Sequence, residues 1–198
     1  MKKAIFIDKD GTLIRNVPYN VDPAKITLEY GAVEGLRLLQ RKGYSLIVIS
    51  NQAGIAHGYF NEEDMQPVIS MVRQLLADAD IRLDGFYYCP HHPAGKVAGY
   101  ASACICRKPA PGMILRAARE LGISLGESWM IGDILHDVEA GNRAGCKSVL
   151  INNGNETVWE MNQHSRPEYI AKDLLEAAAL IASHSIEKSK TWNSYIRH

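Results

Sequence analysis

The chain carries no surplus charge. Its 22 basic and 22 acidic residues cancel, so nothing in the overall balance favours a grip on nucleic acid or on an anionic membrane surface. A small pocket can still hold an anion with a few local cations. No apolar run approaches the roughly 20 residues that a membrane span needs. The opening stretch "MKKAIFID" has two lysines but only four apolar residues ahead of Asp8, short of a signal-peptide core. The expectation is a soluble, cytoplasmic monomer with neither nucleic acid nor membrane as partner. Cysteine is scarce too: four among 198 residues do not make a disulfide framework. There is no internal repeat and no low-complexity tract.

What is present reads as one α/β unit. A chain of this length, 46% hydrophobic, can bury a real core. Short apolar runs predict strands at "AIFID" (4–8), "SLIVIS" (45–50), "GFYYC" (85–89), "SWMIGD" (128–133) and "KSVLI" (147–151). Between them, apolar residues at helical spacing predict helices over 31–43, 61–80, 111–122 and 136–145. Pro67 pushes the regular start of the second helix toward itself. A short extended piece and an Ala/Leu helix ending at His184 close the fold. Because the strands are apolar on both faces, the expectation is a doubly wound, mostly parallel sheet with helices on both faces and no large cap domain. Residues 1–184 form a single domain in this reading, with a loop insertion at 89–108. A polar tail follows at 185–198, with Trp192 and Tyr195 as its docking residues.

Two aspartates, Asp8 and Asp10, end the first strand, and Gly11 turns the chain after them. Ligands of doubly wound sheets bind outside the carboxyl ends of the strands. Ser50 and Asn51 fall at that end of the second strand, Lys108 follows the third, and Asp133 ends the fourth. Clustered acids repel unless a cation sits among them, and carboxylates sharing a site with substrate phosphate suit Mg²⁺. Asp8, Asp10 and Asp133 are therefore the expected magnesium ligands. Asp8 can attack phosphorus. Asp10 is placed to protonate the leaving alcohol and then to deprotonate water. Lys108 and the Ser50 hydroxyl would neutralise and hold the phosphoryl group. A calcium loop is the competing reading of Asp-x-Asp-Gly, but 13–18 offers only Arg15 and Asn16 where further acids are needed.

"DKDGT", "SNQ", "RKP" and "GDILHD" together resemble the four motifs of the haloacid dehalogenase superfamily of phosphatases. Longer stretches, "NQAGIAHGYF", "DGFYYCPHHP" and "CRKPAPGM", are similar to its branch acting on heptose bisphosphates; the histidinol-phosphate branch is the nearest rival. The resemblance implies a Mg²⁺-dependent phosphatase removing the C7 phosphate of a heptose bisphosphate, with a small sugar phosphate as its only partner. It also implies substrate contacts from Asn16 through Tyr19, from Asn51, Gln52 and Ala53, and from Arg107 and Lys108. Two positions depart from the pattern. Ile134 stands where the family commonly has Lys, and His57 where its glycine-rich stretch has Arg; His57 is expected to be a surface residue.

Cys89, Cys104 and Cys106 flank a loop too poor in apolar residues to fold by itself. Three thiolates and one imidazole make a closed tetrahedral zinc set, structural because it keeps no open position for water. Spacing alone leaves His91 and His92 open as the fourth ligand; the resemblance selects His91. Cys146 lies apart and is expected in the core. A reading of another class, a zinc-stapled binding module without catalysis, is opposed by the complete acid set.

Overall fold

A computed structural model describes the backbone of residues 1–195 and side chains through His184. Six strands form one sheet: β1 (Lys3–Ile7), β2 (Tyr44–Asn51), β3 (Gly85–Cys89), β4 (Trp129–Gly132), β5 (Lys147–Ile151) and β6 (Tyr169–Ala171). Their order is β3-β2-β1-β4-β5-β6, and every neighbouring pair is parallel. Five strands stand close to their predicted places. The sixth is the short extended piece, three residues long at the sheet's edge.

Helices α1 (Ala32–Arg41), α3 (Met65–Ala77) and α6 (Leu174–Tyr195) lie on one face of the sheet, while α4 (Gly112–Leu121) and α5 (Leu135–Ala144) lie on the other. A short helix, α2 (Ala53–His57), follows β2; five residues gave no periodic signal. Pro67 sits in the first turn of α3, where its missing N–H costs nothing. Alternation along β1 shows why both faces had to be apolar. Ile5 and Ile7 join the cluster under α1, α3 and α6, whereas Ala4 and Phe6 join the one under α4 and α5. The α6 helix continues beyond His184 to Tyr195, so the backbone of the expected tail extends it. The docking of Trp192 and Tyr195 lies outside the described side chains.

The chain runs outward from β1 through β2 to β3, then returns to β4 beside β1. The strand order thus reverses between β1 and β4. Asp8 follows the first of these strands and Asp133 the second, so the two carboxylates open on the crevice that such a reversal creates. The β1–β2 connection holds a 3₁₀ turn at Pro23–Lys25 and α1, and among the described residues no added domain covers the crevice. No helix among the described residues is long and apolar enough to cross a membrane.

Helices α1 and α6 approach closely through Gly35, where a Cβ would lie 2.6 Å from the carbonyl oxygen of Leu174. Gly35→Ala should therefore destabilise the fold by about 1–3 kcal/mol, although alanine is the better helix former by about 0.5–1 kcal/mol. Urea unfolding should show a lower midpoint with an unchanged slope.

Candidate active site

Asp8 is buried at the end of β1, its N–H donating to Ile131 O at 2.9 Å. Asp133 is buried at the end of β4, and Asp137 is fully buried in the first turn of α5. One oxygen from each of these three carboxylates lies within 4.8 Å of the others. Lys108 enters the same space from the loop after β3. Its ammonium pairs with Asp8 Oδ1 and with Asp137 Oδ1 at 2.6 Å, and it donates to Ile49 O at 3.0 Å. Asp8 and Ile49 O accept hydrogen bonds from it, and the Asp137 contact is a charge pair.

The electrostatics follow from burial. Desolvation pushes the Asp8 carboxyl well above the usual range; Lys108 opposes this, and the charges of Asp137, Asp133 and Asp10 add to it. Asp133 is pushed up to about 6, mainly by burial and the charge of Asp137, against the pull of a hydrogen bond from Asn155. Burial alone would depress the Lys108 ammonium, but Asp137 and Asp8 hold it above the ordinary lysine range. Three buried acids share one lysine, and burial together with this crowding raises the proton affinity of Asp8 and Asp133. A hard divalent cation with a preference for oxygen fits this donor set.

Asp10 departs from expectation, because its carboxylate does not join the trio; Asp137 does. Asp10 Oδ1 pairs with the buried Lys9 ammonium at 2.6 Å, and Oδ2 accepts from the Gln52 amide at 3.3 Å. The same amide donates to Ser50 Oγ at 2.7 Å. Both residues lie beyond the end of β1, and Gly11 (φ 84°) turns the chain directly after them. A Cβ at Gly11 would collide with the Asp133 carboxylate and the Asn155 amide, so this position needs glycine for space as well as for φ.

Asn51, expected at the substrate, holds the Lys108 backbone instead. Its Nδ2 donates to Lys108 O at 3.1 Å and its Oδ1 accepts from Lys108 N at 3.0 Å. This reciprocal pair fastens the end of the cysteine loop to the end of β2. Asn51 and Asn16 still line a cavity of about 250 Å³ with Asp8, Asp10, Lys108 and Asp133. A second cavity of about 270 Å³ shares Asp10, Asn16 and Asn51 and adds Tyr19, Gln52 and Ala53. Arg107 lines neither; it is half-buried, with its guanidinium 3.5 Å from His91 O. His57 is no lone surface residue. Its ring packs against His92 at 4.7 Å and Tyr59 at 5.6 Å, and Tyr59 meets Tyr19 at 4.7 Å.

The loop after β3 gathers Cys89, His91, Cys104 and Cys106, with no disulfide. The sulfurs lie 3.4, 3.1 and 3.0 Å apart, and His91 Nδ1 is 3.7 Å from Cys89 Sγ and 3.6 Å from Cys106 Sγ. A zinc tetrahedron with Zn–S bonds of ~2.3 Å has edges of ~3.8 Å, so a modest expansion of this cluster admits the ion. His91 rather than His92 faces the thiols. Cys146 is apart and buried, as expected.

The sequence reading missed Asp137, although the "GDILHD" motif contains it. It had no signal for the segment 152–168, whose Asn155 donates to Asp133 Oδ2 at 2.7 Å and whose Asn153 donates to Gly11 O at 2.7 Å.

A parallel sheet with acids at its reversal point is the architecture of the haloacid dehalogenase-like phosphatases, and the chain belongs to that family. Family models for "HAD-hydrolase-like" proteins and for "Polynucleotide kinase 3 phosphatase" match residues 105–177 and 3–136. The chain is 38% identical over 181 residues to the D-glycero-β-D-manno-heptose-1,7-bisphosphate 7-phosphatase of Pasteurella multocida, covering 91% of this chain and 97% of that protein. The enzyme of the same name from Haemophilus influenzae is 42% identical over 161 residues, 81% and 87% of the two chains. Among solved structures, a D,D-heptose 1,7-bisphosphate phosphatase from B. bronchiseptica, in complex with magnesium and phosphate, superposes with a TM-score of 0.74 at 25% identity, covering 92% and 99%. A HAD-like phosphatase from Mesorhizobium loti gives 0.79 at 33% identity, covering 91% and 85%.

Replacing Cys104 with Ser should remove zinc and lower the melting temperature before it affects chemistry. Metal analysis of the purified variant beside a thermal melt checks this; retained zinc and an unchanged melt would overturn the zinc assignment.

Proposed function

We propose that this phosphatase removes the C7 phosphate from D-glycero-D-manno-heptose 1,7-bisphosphate, on the route to nucleotide-activated heptose for surface glycans. The observation that carries the substrate assignment is identity of 38–42% along nearly the whole length of enzymes with that activity. Asp8 is the nucleophile and Asp10 the general acid and base. Lys108 holds Asp8 Oδ1, leaving the other oxygen to attack phosphorus. As the O–P bond to the sugar breaks, Asp10 gives its proton to the departing oxygen. Asp10 then takes a proton from water, which attacks the aspartyl phosphate and releases inorganic phosphate with Asp8 restored. The Ser50 hydroxyl accepts from Gln52, so its own hydrogen is free to donate to a phosphoryl oxygen.

Asp8, Asp133 and Asp137 are the residues that would hold Mg²⁺, with Asp10 at the cavity's edge. The ion would supply charge neutralisation for the acids and for the incoming phosphoryl oxygens. The sugar would extend into the neighbouring cavity, against Asn16, Tyr19, Gln52 and Ala53, with the Tyr19–Tyr59–His57 rings as its outer wall. Arg107, half-buried beside His91, would bind the second phosphate. The reading includes a cytoplasmic monomer. Free thiols suited to zinc belong in a reducing compartment, and one chain supplies every group the chemistry uses.

Asp8→Asn should abolish turnover, since an amide cannot attack. Lys108→Ala should slow it by about 10²–10³-fold. Phosphate release with and without Mg²⁺ measures both. Parallel kinetics on the heptose bisphosphate and on histidinol phosphate test the substrate, and a preference for the latter would sink the heptose assignment. Wild-type protein as inactive as Asp8→Asn would leave only the binding-module reading.

A further inference from the structure

The connection between β5 and β6 runs from 152 to 168 without helix or strand, yet it is firmly tied. Asn153 donates to Gly11 O at 2.7 Å, in the turn after Asp8 and Asp10. Asn155 donates to Asp133 Oδ2 at 2.7 Å. Glu156 accepts from Leu135 N at 2.6 Å and so caps the start of α5. Farther along, Asn162 donates to Glu139 at 2.9 Å, and Asn142 of α5 donates back to His164 O and Arg166 O. The segment therefore runs along the crevice from the β1 turn to α5.

Asn155 is the member of this chain of contacts that reaches the acid cluster. It lines the crevice cavity itself. The other oxygen of Asp133 accepts from Thr12 at 3.2 Å. Donors on both oxygens fix the plane of the carboxylate, and each oxygen keeps a further lone pair. Groups that hydrogen-bond a metal-binding carboxylate fix its orientation and commonly set the affinity of the site.

We infer that Asn155 is a positioning residue for Asp133, supplied by the β5–β6 connection to hold that carboxylate in the orientation that binds Mg²⁺. The inference rests on Asp133 as a magnesium ligand. It assigns the connection a role in metal affinity, separate from substrate binding and from the proton transfers of Asp10. Asn153 accepts from Asn155 N at 3.1 Å and so helps to hold it, whereas Asn162 ties the same segment to α5 through Glu139 without touching Asn155 or the acid cluster.

The test is a calorimetric titration of Mg²⁺ into the full chain without substrate, for wild type, Asn155→Ala, Asn162→Ala and Asp133→Asn. Asn155→Ala should bind Mg²⁺ about 10–100-fold more weakly and regain near wild-type kcat once Mg²⁺ is saturating. Asn162→Ala should bind it as wild type does. Unchanged affinity in Asn155→Ala, equal weakening in Asn162→Ala, or failure of Asn155→Ala to fold while Asn162→Ala does would each overturn the inference. If Asp133→Asn binds as tightly as wild type, the magnesium assignment falls first and the inference with it.

Discussion

The arrangement depends on a buried charge balance around one ammonium. Lys108 is almost fully buried, and burying a lysine without partners is expensive enough to strip its proton. It stays charged because Asp8 and Asp137 flank it and Ile49 O accepts one of its hydrogens. The dependence runs both ways: Asp8 faces three further acids and would not ionise readily without the lysine. Each charge is tolerable only because the others are in place. Elements as distant in sequence as β1, the cysteine loop and α5 must therefore arrive together.

That balance explains the value of the cysteine loop. Lys108 comes two residues after Cys106, and the Asn51 side chain grips its peptide from the end of β2. The lysine is thus fixed at its backbone by a strand on one side and by a metal-binding cluster on the other. A long flexible side chain gains the most from such anchoring, because its own rotamer freedom opposes any single placement. The thiol cluster, far too small to form a core, contributes by removing slack from the residue on which the acids depend.

Much of this could be read from the residues because parallel-sheet chemistry concentrates at strand ends. Once "AIFID", "SLIVIS" and "SWMIGD" were recognised as strands, Asp8, Ser50 and Asp133 had to share one edge of the sheet. Register could not be read so directly. Asp10 and Asp137 both follow strands closely, and only the turn at Gly11 and the first turn of α5 decide which of them faces Asp8. Side-chain hydrogen bonds were harder still. Asn51 was legible as a strand-end polar group, but nothing local indicates that it would bind Lys108, 57 positions away. Asn155 lies in an irregular stretch with no periodicity, and its partner is set by the tertiary fold alone.

The β1–β2 connection carries a helix and a 3₁₀ turn where a bulky cap could have been inserted. The consequence is kinetic. An enzyme whose pocket has no hinged cover need not wait for one to open, so product departure is freed from the domain motions that limit many turnover numbers. Drying the reaction centre then falls to the guest molecule, whose own bulk must displace the solvent. Ligands too small to plug the mouth would be processed in a wet site, a form of selectivity by size that needs no moving part.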